Sequence, residues 1–207
     1  VIVDVTDRLP IHASFEYDNF GSRYINKNRY ALVLEDNNLL GFDDKLYMKV
    51  QEAEAGSMHL QQGRYSFFPI DPTELGAYFI NSKVNLGREF KDLDSEGKAQ
   101  IYGLFVNHQL VHGRDLDLRL TSGFDYKRIR NYQLGSQISR DNVRVAKVGL
   151  DTDYSDPLGR TILTTELGQG LPHFMGGMKT KDDNATRAGA GGKFTRGLFN
   201  LYRLQPM

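Results

Sequence analysis

Asp115-Leu-Asp-Leu-Arg-Leu-Thr121 alternates a polar or charged residue with a leucine at every step. Successive side chains of an extended strand point to opposite faces, so Leu116, Leu118 and Leu120 share one face and Asp115, Asp117, Arg119 and Thr121 the other. A helix would scatter both sets around its circumference. The reading as a strand extends to Tyr126. The same alternation returns in Lys45–Gln51, where Leu46, Met48 and Val50 oppose Lys45, Tyr47, Lys49 and Gln51. It returns again from Ile11 to Phe20, with Ala13, Phe15 and Tyr17 against Ser14, Glu16 and Asp18.

Working outward from these stretches, long helical periodicity is missing, and Gly, Asn and Asp clusters separate short alternating runs. Counting from Ile11, about ten strands are expected in up-and-down order: 11–20, 28–36, 45–51, 64–70, 76–82, 99–106, 115–126, 143–153, 160–168 and 193–204. Val1 to Thr6 is a further short strand that ends at Leu9-Pro10, where the proline removes a ladder donor. Residues 1–10 are therefore expected to close a preceding domain, and 11–207 to form the meander. Connections after the second, fourth, sixth and eighth of the ten are compact. Those after the third, fifth, seventh and ninth are longer and polar, including an Arg- and Asn-rich loop at 127–142. Short turns at one end and long loops at the other are the asymmetry of an outer-membrane barrel.

Composition is compatible with that architecture. Hydrophobic residues make up 40% of the 207, lean for a buried core but ordinary where one face of every strand is wet. Lys plus Arg and Asp plus Glu are equal at 26 each, so no net field points to nucleic acid. The chain has no cysteine, which removes disulfides, thiolate metal sites and thiol nucleophiles together. No apolar run reaches the roughly 18–20 residues of a helical span. A barrel strand needs only about 9–11 alternating residues.

Chemical motifs are weak. His108 and His112 are four apart, the spacing of two zinc ligands on a helix, but they flank an expected turn without a completing Glu. Asp151-x-Asp153-x-Ser155 opens like a calcium loop, yet Asp156 takes the glycine position and Ile162 the glutamate position. Gly189-Ala-Gly-Gly-Lys193 lacks the Ser or Thr and the first glycine of a phosphate loop. No catalytic constellation, metal site or cofactor site is expected, and the chain is not expected to be an enzyme. The alternation puts Glu16, Asp18, Arg29, Lys49, Asp117 and Arg119 on the wet face as candidate pore-lining residues. Their interleaved signs serve either to pair with one another or to touch a passing chain.

Five stretches carry a resemblance to a known family: Asn19-Phe-Gly-Ser-Arg23, Asn37-Asn-Leu-Leu-Gly41 with Asp43-Asp44, Tyr65-Ser-Phe-Phe-Pro69, Asp115-Leu-Asp-Leu-Arg-Leu-Thr-Ser-Gly123 and Leu201-Tyr-Arg-Leu-Gln205. In order and spacing the chain resembles the two-partner secretion transporters, the haemolysin secretion/activation family of outer-membrane proteins. The resemblance implies an all-β, antiparallel transmembrane barrel of sixteen strands, of which about the first ten are present. It implies that Val1–Leu9 ends a polypeptide-transport-associated domain. It further implies a monomeric pore in the bacterial outer membrane, in contact with lipid, that passes a secreted exoprotein in extended form. The family's inward-folded loop, with its Val-Arg-Gly-aromatic motif, is expected beyond Met207. An assembly or insertion factor of the same architecture, or a soluble all-β binding protein, are the alternatives.

Overall fold

The computed structural model describes residues 10–205. The expected strand at Val1–Thr6 lies outside them. Ten strands form one antiparallel sheet in strict sequence order: β1 (Ile11–Asp18), β2 (Arg29–Asp36), β3 (Lys45–Ala53), β4 (Met58–Ile70), β5 (Thr73–Asn85), β6 (Glu96–His112), β7 (Leu116–Gln133), β8 (Ser136–Asp156), β9 (Gly159–Gly170) and β10 (Thr195–Leu204). Every neighbour pairs with the next, while β1 and β10 do not pair with each other. Among the described residues nothing packs on either face as a second sheet.

The register carries the alternation from strand to strand through β1–β3 and the middle of β5–β8. Phe15, Leu32 and Val50 are directly paired across β1–β3, and Leu75, Val106, Ser122 and Val148 across β5–β8. These belong to the apolar face, and its large side chains are open: Phe15 is 66% exposed, Leu104 60% and Leu167 60%. The opposite face is polar, and it is concave, because its side chains reach over intervening strands. Tyr78 of β5 touches Asp125 of β7 across β6, and Lys147 of β8 comes within 3.5 Å of the Tyr78 oxygen. The largest fully buried side chains are Arg144, Asp44 and Asp125, all charged. A soluble sandwich would bury its aliphatic rows between two layers. Here they face outward, which is the arrangement required when lipid replaces water around the ring.

The long connections gather at one end: 19–28 after β1, 86–95 after β5 and 171–194 after β9. The other end is closed by short turns at 71–72, 113–115 and 157–158 and by the somewhat longer 37–44.

One expectation is overturned. Residues 127–142, read from sequence as a loop, are strand almost throughout: β7 runs on to Gln133, β8 starts at Ser136, and only Leu134 and Gly135 turn. The connection 54–57 after β3 is likewise brief. At about 3.3 Å per residue and a tilt near 40°, the 21 residues of β8 rise roughly 50 Å, well beyond an apolar band of about 25 Å. The upper parts of β7 and β8 therefore extend beyond such a band. Alternation disappears there, although the ladder does not.

Beyond β9 the edge of β8 would be left without partners. The 171–194 connection covers it: the Leu171 N–H donates to the Arg144 carbonyl at 2.9 Å, Met178 N–H to Asn142 at 2.8 Å, and Arg140 N–H to the Asn184 carbonyl at 2.7 Å. An open ladder edge is a template for unwanted pairing, and this segment blunts it.

Candidate functional site

The six sequence-derived residues share the concave face by register. Asp18 lies opposite Arg29 in the β1–β2 ladder, and the two are ion-paired at 2.7 Å. Glu16 reaches past β2 to Lys49 on β3 at 2.6 Å. That contact is possible because the intervening positions, Ala31 and Val33, are short. Asp117 and Arg119 are not joined to each other. Asp117 accepts from His112 at 2.7 Å, and Arg119 donates to Gln109 at 3.4 Å. They border a recess of about 520 Å³ near the short-turn end, with Asp151 and Asp153 on its far wall. The six thus fall into two groups, one on the β1–β3 edge and one on β7.

The most deeply held charge on this face is a residue that sequence reasoning missed. The carboxylate of Asp125, 2% exposed, accepts the Tyr78 hydroxyl at 2.5 Å and pairs with Lys147 at 2.8 Å and Lys127 at 3.0 Å. Tyr78 can lie across β6 because position 103 is glycine. A Cβ there would collide with the phenol ring. Phe105 lies over Gly76 in the same way, with the Arg64 guanidinium 4.3 Å from its ring centroid. Arg64 also meets Glu74 at 3.3 Å, and Glu74 accepts from Asn107 at 2.7 Å. The signal was available in part: Asp125 and Lys127 continue the polar row of Asp117 and Arg119 at a spacing of two.

The weaker motifs resolve into structure. A register shift between Gln109 and Val111 turns His108 and His112 to opposite faces, so they cannot share an ion. His108 instead meets the Thr73 hydroxyl at 2.8 Å. Asp153 is taken up by Arg160, whose Nε lies 2.7 Å away. Among the described residues no group of three potential ligands is close enough to hold a metal. Outside the strands, Asp182 in the 171–194 connection is held below the usual carboxylate range. The Asn184 N–H donates to it at 3.1 Å and the Lys179 N–H at 3.4 Å.

All of residues 1–207 match the family described as haemolysin secretion/activation protein ShlB/FhaC/HecB. The chain belongs to that family. Members of the ShlB/FhaC/HecB family are transporters of the Gram-negative outer membrane rather than enzymes. The heme/hemopexin transporter protein HuxB of Haemophilus influenzae strain 86-028NP is 22% identical over 158 residues, which are 75% of this chain and 28% of HuxB. HuxB of strain KW20 is 20% identical over the same length. CdiB from Escherichia coli superposes with a TM-score of 0.84 at 20% identity, covering 95% of this chain and 38% of that one. At that identity the likeness establishes the fold, an all-β up-and-down barrel wall. The chain spans about 28% of the length of the curated relatives it matches.

Proposed function

We propose that residues 11–207 are the N-terminal part of an outer-membrane pore that passes a secreted partner protein, in extended form, to the cell surface. Residues 1–10 end the preceding periplasmic domain and lead into β1, and the barrel works as a monomer. The carrying observation is the inversion of the sheet: a concave ionic face backed by an outward greasy one. An unfolded chain presents unpaired backbone groups and mixed charges. A wall of interleaved acids, bases and amides offers each of them brief partners without a deep apolar trap. The pairs Asp18–Arg29 and Glu16–Lys49 keep the resting wall neutral and are open enough to exchange with cargo. Neither a cofactor nor catalysis enters, and neutral overall charge gives no purchase for nucleic acid. Lipid meets only the apolar face.

The test uses the full-length protein and its genetically adjacent partner. Removing the transporter should abolish appearance of the partner in the medium, and undiminished export would sink the proposal. For the lining, Arg119→Glu should shift the ion selectivity of the pore toward cations in planar bilayers. Unchanged selectivity in a folded R119E barrel would take Arg119 off the conduction path.

A further inference from the structure

The apolar face of β5–β8 changes character row by row toward the long-loop end. Cross-strand partners give the sequence of rows directly. Leu75, Val106, Ser122 and Val148 form one, and Ala77, Leu104, Phe124 and Ala146 the next. Above them come Phe79, Tyr102, Tyr126 and Arg144, then Asn81, Gln100, Arg128 and Asn142, and finally Lys83, Lys98, Arg130 and Arg140. Aliphatic, aromatic, amide and cationic rows in that order mark the passage from hydrocarbon through the interface to headgroups.

The cationic row is only partly neutralised. Four like charges stand directly opposite one another across adjacent ladders, an arrangement that destabilises a sheet unless an anion intervenes. Glu96 serves the two lysines, at 2.7 Å from Lys83 and 2.5 Å from Lys98. Among the described residues, none of Arg128, Arg130 and Arg140 has an ion-pair partner; the field of Asp182 reaches Arg140 without a pair forming. Arg128 donates to the Tyr126 hydroxyl at 2.7 Å, which holds its guanidinium at the aromatic level. The Nε of Arg130 is buried without a hydrogen-bond acceptor, and the neighbouring Asn142 side-chain oxygen is buried without a donor. Three guanidiniums without an acid stand on one face, Arg140 exposed and Arg128 and Arg130 partly so, and what they lack is an anionic ligand.

We infer that Arg128, Arg130 and Arg140 form a binding site on the outer wall for the phosphorylated sugar headgroup of an outer-leaflet glycolipid. Positions two apart on a strand are about 7 Å apart and direct cross-strand partners about 5 Å, so the three guanidiniums fit around one phosphate group. The site rests on the reading of the long-loop end as the external one.

The experiment measures binding of bis-phosphorylated lipid A to the purified full-length protein by native mass spectrometry. The combined variant R128Q/R130Q/R140Q should bind it about tenfold more weakly or worse, while R128K/R130K/R140K should keep most of the affinity. Dephosphorylated lipid A should bind the unaltered protein as poorly as the glutamine variant binds the phosphorylated form. Equal binding of either lipid, or equal binding by a glutamine variant that retains heat-sensitive barrel migration, overturns the site. Displacement of lipid A by inorganic phosphate at the same concentration also overturns it, since a small-anion site would then suffice. Should the triple variant not fold, R130Q alone carries the same readout. Export is scored in the same strains: failed export with lipid A binding intact removes the transport reading and leaves this site standing.

Discussion

Asp125 joins three strands through one carboxylate: its own β7, β8 through Lys147, and β5 through Tyr78. Replacing it with asparagine keeps the shape but leaves two ammonium groups facing each other. Breaking a fully buried pair costs roughly 3–5 kcal/mol; because both lysines keep some contact with water, Asp125→Asn should cost about 2–3 kcal/mol. Urea unfolding of the full-length protein in lipid vesicles would check this, and a midpoint like that of the parent would refute the central role given to Asp125. The sequence made Asp117 and Arg119 visible because they interrupt a leucine row. Asp125 follows in the same row, yet the alternation read from sequence ends at Tyr126, and the Arg- and Asn-rich stretch from Lys127 reads as a loop. Nor could any local pattern disclose that Tyr78 would lie over Gly103 to reach it. Contacts of that kind depend on sheet curvature, which periodicity does not encode.

At the scale of elements, the hairpin of β7 and β8 shows where legibility stopped. Its two turn residues both have positive φ, 50° at Leu134 and 72° at Gly135, the backbone of a type I′ turn. Such a turn ordinarily advertises itself as Asn-Gly or Asp-Gly; leucine gives no such signal. The flanking stretch is polar on both sides and therefore lacks the period of two by which strands are found in sequence. The ladder that holds Arg128 opposite Asn142 and Ile129 opposite Asp141 is made by backbone groups, which no side-chain pattern reports. Where one face is apolar, by contrast, as in β1, β3 and the start of β7, the expected faces agree with the register. Leucine in the left-handed region carries a steric cost that asparagine largely escapes. Leu134→Asn should therefore raise stability by about 1 kcal/mol. A higher urea midpoint for L134N is the expected result, and an unchanged or lower one would argue against the I′ geometry.

The whole molecule is a wall rather than a globule. Its buried apolar residues among those described are few and small, such as Ala31, Val33 and Ala53, and its stability as a sheet depends on lateral pairing and on the solvent each face meets. With β1 and β10 unpaired, two long edges remain, which hydrocarbon does not tolerate. Residues 1–207 produced alone should consequently fail to give the compact, heat-sensitive electrophoretic band of the complete barrel. A sharp band of that kind from the isolated segment would mean that ten strands can seal a ring among themselves.

The segment over the free edge of β8 carries Lys179, Lys181, Asp182, Asp183, Arg187 and Lys193. Each of these charges resists passage through the bilayer centre by roughly 2.5–3.5 kcal/mol. Once delivered to the far side, they act as a ratchet pawl. Retreat demands dragging all six back through oil together, which slows exit.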